Sequence, residues 1–205
     1  MPKIDIGIGL VLVAAVLFSL LGVATYEREG QPIEFTVVWA TEEEAVPPKN
    51  RQRTGPGSET VEVPLTIANV TSVSFTVTVT GVGPRVQAAQ WSARVEAPNR
   101  TASQPRGGTF AAGAGEATGV ERFGFAVQPV PSRDRVEALS EEAARAELEP
   151  SYNPSAGQGT WRVTVTFQGG NPPGLAPETY RIQVAATATV FQASVTPTVP
   201  DVESR

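Results

Sequence analysis

The chain contains no cysteine and no histidine, and its only methionine is Met1. Without thiols or imidazoles it forms no disulfide and offers no Cys/His zinc site. Nor can those groups ligate an iron–sulfur cluster or a haem. Ser-His-Asp and Cys-His nucleophile systems are excluded for the same reason, as is a histidine proton shuttle near neutral pH. The compartment stays open, because oxidising compartments permit disulfides without requiring them. Lysine occurs only at positions 3 and 49, the rest of the 16 cationic side chains being arginines. Asp5, Asp134 and Asp201 are the only aspartates and form no D-x-D run, which argues against a dedicated calcium loop. The net charge of −5 argues against a nucleic-acid partner, since phosphate binding needs a basic face.

With those groups gone, carboxylates are the remaining candidates for acid–base work. Glycoside hydrolysis needs two of them roughly 5–10 Å apart. No pattern picks a pair from the 21 acidic residues. The expectation is therefore a protein that is not an enzyme, with no catalytic residue, no metal ligand and no cofactor.

What is present is first an apolar run, Ile6 to Ala24, with Ser19 as its one polar side chain and no charge between Asp5 and Glu27. As a helix it would be ~28 Å long, close to the ~30 Å hydrocarbon core of a bilayer. Gly22-Val23-Ala24 also resembles a signal-peptide cleavage site, but the run is longer than most such apolar regions and its basic start is weak. The expectation is a retained single-pass anchor over 1–25. Lys3 leaves the short tail in the cytoplasm and puts the main domain on the extracytoplasmic, periplasmic side. Tyr26 sits where an interfacial aromatic belongs. At 100° per residue, Gly7, Val11, Ala14, Phe18 and Gly22 share one side, a candidate packing face for a neighbouring helix.

After a polar linker over 26–32, the chain is patterned for strands. Apolar residues alternate with polar ones over 33–39, 61–67, 73–80, 87–95, 123–127, 161–167 and 180–188. Residues 41–58 interrupt with Glu42, Glu43, Glu44, Pro47 and Pro48, and read as a long solvated loop; 97–119 read as a second, with a short strand near Phe110. Residues 133–149 read as a helix capped by Ser132, with an apolar stripe of Val136, Leu139, Ala143 and Ala146. The tail from Ser194, rich in Pro and Thr, reads as extended. These elements place an antiparallel β-sandwich domain at 33–193 with one inserted helix. A closed barrel is the competing arrangement. Asn69-Val-Thr71 and Asn99-Arg-Thr101 match the N-glycosylation tripeptide.

Leu175-Ala-Pro177-Glu-Thr-Tyr180-Arg-Ile182-Gln-Val184 resembles the corner of fibronectin type III and related immunoglobulin-like domains, one residue shorter than the usual spacing. The resemblance covers about ten residues. It implies an immunoglobulin-like sandwich, a Tyr180 hydroxyl tied back to the backbone, and a tryptophan, Trp91 or Trp161, in the core. A lone span joined to a β-domain without a visible site points to a non-catalytic accessory subunit of a larger integral-membrane complex, energy-converting complexes being one setting. Its partners would be lipid and other membrane subunits. A free-standing ligand- or cell-wall-binding module is the first alternative and a minor pilin or secretion component the second.

Overall fold

The computed structural model describes residues 31–83, 89–99, 101–110, 116–168 and 177–198. The apolar run, its packing face (Gly7, Val11, Ala14, Phe18 and Gly22) and Tyr26 lie outside the described residues. Among the described residues, no helix is long and apolar enough to cross a membrane. The chain divides into a larger unit, 38–133 with 148–194, and a smaller one that combines 1–37, 134–147 and 195–205.

Strands β1 (Ile33–Thr54, from Val38 on), β2 (Gly57–Leu65), β3 (Val70–Val82), β4 (Gln90–Glu96), β5 (Arg106–Thr109), β6 (Glu116–Ala126), β8 (Gly159–Gln168) and β9 (Thr179–Pro197, as far as Ser194) build the larger unit. One sheet runs β6-β3-β9-β1 and the other β2-β8-β4-β5. The pairs are nested: β4 lies beside β5, β3 beside β6, β2 beside β8 and β1 beside β9. A long two-stranded ribbon folded across two sheets gives this order, which is that of a jelly roll. Both sheets keep separate edges, so the domain is a sandwich and not a closed barrel. The order departs from the immunoglobulin arrangement implied by the Tyr180 corner, in which a three-stranded and a four-stranded sheet carry the chain differently. A ten-residue corner reports local turn chemistry; it does not encode which strands become neighbours.

Alternation explains the burial. In β3 Val73, Phe75, Val77 and Val79 are at most 1% exposed, whereas Ser74, Thr76, Thr78 and Thr80 face outward. Val61 and Val63 of β2, Ala93 and Val95 of β4, Val163, Val165 and Phe167 of β8, and Ile182 and Val184 of β9 complete one core between the sheets. Phe75, Phe125 and Trp161 pack together at centroid separations of 5.1–6.2 Å. Trp91 and Trp161 are both buried, as expected of core tryptophans.

Residues 41–58 are not a loop. β1 continues to Thr54, turns at Gly55-Pro56-Gly57 and enters β2. Gly55 and Gly57 have φ of 75° and 119°, and the Arg53 guanidinium closes the turn by donating to Pro56 O and Ser58 O. Only Val46 is buried between 38 and 54, so the strand leaves little alternation to read. β1 has β9 on one side, and its pairing with β7 (Arg135–Ala138) covers only Ile33–Thr36. Beyond that, one edge of β1 is open, and proline is tolerated on such an edge strand. The glutamates and prolines there discourage pairing with another chain.

In the smaller unit β7 pairs antiparallel with β1, Val136 opposite Phe35, and Thr198 N donates to Glu34 O at 2.8 Å. Helix α1 spans Glu141–Leu148, shorter than the expected 133–149. Val136 and Ala138 alternate into a buried face of β7, and Ser140, not Ser132, caps α1 through its Oγ and the Ala143 N–H. Leu139, expected on the apolar stripe, is 68% exposed, and the buried stripe consists of Ala144 and Leu148. Glu141 and Arg145 pair at 2.8 Å across one turn.

Two substitutions test the packing. Phe75→Ala, at the centre of the core, is expected to cost about 3–5 kcal/mol. Gly119→Ala would put a Cβ 2.5 Å from the Trp91 ring. Displacing the indole is expected to cost about 1–3 kcal/mol. Urea unfolding measures both, and a Gly119→Ala protein as stable as its parent would show that Trp91 does not lie under β6.

Candidate binding cleft and the buried tyrosine

Within the larger unit the described residues form a partly enclosed cleft, lined largely by apolar side chains, of about 360 Å³. It opens at the end of the sandwich where β4 and β6 finish and β8 begins. Phe125, Val127 and Trp161 form the floor, and Pro98 and Ala156 the walls. The indole is held in place because Trp161 Nε1 donates to Gly157 O at 3.0 Å, with Phe125 edge-on at 5.1 Å. Gly157 sits at φ 79°, and a Cβ there would lie 3.1 Å from Val127. Gly159 sits at φ 125°, with Pro98 at 2.8 Å from the position of a Cβ. Glycine is what lets this turn come close enough to wall the cleft.

Asn99, Thr101 and Gln158 supply the rim. Asn99 Oδ1 accepts from Thr101 N at 3.0 Å, and Ala97 N donates to Thr101 O at 2.8 Å, so the turn after β4 is internally braced. No charged side chain lines the cleft. Its chemistry is desolvation with a few neutral hydrogen bonds. It can seat an uncharged, partly apolar group, and it presents no nucleophile or acid to that group. The 97–119 stretch, expected to be a loop with a short strand near Phe110, contributes this rim, then β5, which ends at Thr109, and the start of β6. The signal that could have located the cleft is the Gly157-Gln-Gly159 turn just before the Trp161 strand.

The second tripeptide asparagine, Asn69, is elsewhere. It occupies the β2–β3 turn at φ 57°, with Oδ1 buried and unpaired among the described residues. Asn99 is exposed. The structure does not bring the two together, since Asn99 belongs to the cleft and Asn69 N bonds instead to Pro154 O.

The opposite end of the sandwich holds the one buried carboxylate among the described residues. Glu178 is 2% exposed and its Oε2 has no hydrogen-bond partner there. A Cβ at Gly83 would meet its Cγ at 2.9 Å, so the chain passes directly over it. Two residues on, Tyr180 is fully buried, stacked on Phe167 at 4.0 Å and on Phe110 at 5.9 Å. Its hydroxyl has no partner among the described residues, so the backbone tie implied by the corner resemblance is not made to any of them. Here the aromatic stack positions the ring. Burial pushes the Tyr180 pKa above its ordinary value, and the Glu178 charge adds to the shift. Among the described residues, no group of three or more acidic side chains is arranged to hold a metal ion.

No family model matches the chain, and no curated protein matches it. Solved structures give distant likenesses. One is dimeric latent PorU from Porphyromonas gingivalis, at 10% identity and TM-score 0.36, covering 77% of this chain and 13% of that one. Another is a Broad Bean Stain Virus chain, at 13% identity and TM-score 0.32, covering 85% and 95%. A nora virus chain follows at 8% identity and TM-score 0.28, covering 82% and 65%. None of them supports a functional statement about this chain.

The tyrosine gives a pH test. A folded-state pKa raised above the unfolded value leaves stability untouched while both states are protonated. Above about pH 10 the unfolded chain loses the proton first, so stability falls as pH rises towards the raised value. Tyr180→Phe keeps the ring stack and removes an unpaired hydroxyl. It is expected to change stability by less than about 1 kcal/mol at pH 7 and to reduce the alkaline loss. Equal alkaline slopes for the two proteins in urea melts would refute the assignment.

Proposed function

We propose that this chain is a non-catalytic interaction module, tethered to a membrane by residues 6–24, whose β-sandwich engages a partner protein on the extracytoplasmic side. Its role would be that of an accessory subunit in a larger membrane assembly. The observation that carries the reading is the cleft of Phe125, Val127 and Trp161, whose apolar floor and neutral rim suit a partner's protruding apolar side chain. Pockets of this kind commonly carry most of an interface's affinity. The rim amides of Asn99 and Gln158 and the Thr101 hydroxyl can bond a neighbouring peptide group, both donating and accepting. The hydropathy of the N-terminal run supports the tether, and the Lys3 side supports the orientation. The resemblance to immunoglobulin-like domains adds nothing to the reading, because the strand order differs.

Thr101 is exposed on the rim of the cleft. Thr101→Trp should cover its opening without displacing Phe125 or Trp161. Full-length protein purified in mild detergent from its native membrane is expected to bring a stoichiometric membrane partner with it, and the Thr101→Trp form to lose that partner by about tenfold or more. Parent protein that always migrates alone, or a variant that keeps the partner in full, would overturn the proposal. Alkaline carbonate washing tests the tether separately: release of the intact chain into the supernatant would remove it.

A further inference from the structure

A second concave surface lies on the outer face of the β6-β3-β9-β1 sheet, away from the cleft. It is an open trough of about 500 Å³ where the end of β1 meets β9 and β3. On β3 and β9 the register sets Thr80 opposite Arg181 and Thr78 opposite Gln183, and Asn50, Arg51 and Gln52 of β1 complete the lining. Ile182 lines it through backbone, since its side chain is 1% exposed and points into the core. The residues around it are two arginines, three amide residues and two threonines, besides Ile182, and none is acidic; Asn50, Arg51 and Gln52 alternate along β1, so Arg51 and its two neighbours present opposite faces.

That composition runs against the chain's own balance. The net charge is −5, yet no outward-facing residue of β3, β6 or β9 on this face over 72–80, 118–126 and 181–189 is acidic. Arg122, opposite Thr76, adds a further cation beside the trough. Arg181 makes no hydrogen bond or ion pair among the described residues, and Arg51 makes one long bond to the carbonyl of Asn50, 3.4 Å. Two guanidinium groups without a carboxylate form an unsatisfied site for an oxyanion, and arginine bonds a carboxylate through two parallel N–H donors.

We infer that this trough binds a carboxylate-bearing polysaccharide, a uronic-acid chain. Arg51 and Arg181 take the carboxylates, and Thr78, Thr80 and Gln183 bond the ring hydroxyls. The amides and hydroxyls distinguish this ligand from a bare anion, because they both donate and accept and so match sugar hydroxyls. The missing apolar anchor distinguishes it from an acidic peptide, whose docking draws its affinity from buried apolar side chains. The inference stands apart from the cleft, and the two fail independently.

The test uses the full-length protein in zwitterionic lipid nanodiscs, titrated calorimetrically with an oligogalacturonate. Saturable binding is expected, weakened about tenfold by Arg181→Gln or Arg51→Gln and abolished by the pair. It should fall steeply between about 50 and about 500 mM salt. The methyl-esterified oligomer, which keeps every hydroxyl and loses the charge, should not bind. Arg94→Gln, on the outer face of the other sheet, should leave affinity unchanged, and Thr101→Trp at the cleft should too. Each variant is exposed at the altered position, and an unchanged melting temperature checks its fold. The inference is overturned if the oligogalacturonate fails to bind or if the esterified oligomer binds equally. It is also overturned if Arg94→Gln weakens binding as much as Arg181→Gln, or if anionic-lipid vesicles or a polyglutamate peptide bind tighter than the sugar acid at the same sites.

Discussion

The structure depends on strand β3 being paired along both edges at once. Val70–Val82 runs antiparallel to β6 on one side and β9 on the other, nearly over its full length. A strand held on both sides cannot slip by one residue without moving Val73, Phe75, Val77 and Val79 into water and four hydroxyls into the core. Burying those four apolar side chains is worth roughly 1.5–3 kcal/mol each, so one register is strongly favoured. Fixing β3 fixes β9 opposite it, and so sets Arg181 beside Thr80 and Tyr180 beneath the core. It also fixes β6, which carries Phe125 and Val127 to the cleft. Both candidate surfaces are consequences of the same register.

The surface ion pairs do little by comparison. Glu34–Arg135, Glu141–Arg145 and Glu62–Arg162 have side chains between 38% and 70% exposed. Screening by water and salt leaves such pairs near zero to 1 kcal/mol. The chain instead uses charge to keep edges apart. Glu42, Glu43 and Glu44 lie on the part of β1 that β7 leaves open, with Pro47 and Pro48 close behind. A run that reads as a solvated acidic loop is thus an edge strand protected against joining another sheet.

That misreading shows where sequence reasoning worked and where it stopped. The strands of the core were legible because each side chain there obeys a two-residue period against one buried face, as in Val61 to Leu65, Val73 to Val79 and Trp161 to Phe167. β1 beyond Val38 was not, because exposure on both faces erases the period; its hydrogen bonds come from β9 and leave no mark in composition. The same holds for β7, where Val136 fits a helical stripe with Leu139 as well as it fits alternation with Ala138. Four residues of period two and one turn of period 3.6 cannot be separated by hydrophobicity alone. Strand order was out of reach for a different reason. Alternation says which face of a strand is buried and nothing about its neighbour, so the Leu175–Val184 corner suggested an immunoglobulin-like arrangement that the nested pairing replaces. The cleft needed three dimensions as well, since Pro98, Phe125 and Gly157 meet only when the ends of β4, β6 and β8 converge.

The two ends of the sandwich differ in what they ask of glycine. At the cleft end, Gly157 and Gly159 hold positive φ so that a turn can approach Val127 and Pro98, and the result is concave space lined by apolar groups. At the other end, Gly83 lets the chain pass over Glu178, and the result is closure, with a carboxylate and a phenol sealed under the backbone. A buried carboxylate oxygen and a buried hydroxyl without partners among the described residues are costly. The hydroxyl belongs to the Tyr180 ring, which stacks on Phe167 and Phe110, and the carboxylate lies two residues before it. The cleft end has an orphan of its own, the buried Asn69 Oδ1 beside the 154–157 turn, but its lining is uncharged. A surface that must desolvate on binding is best built from such neutral groups, which lose less than charges by leaving water.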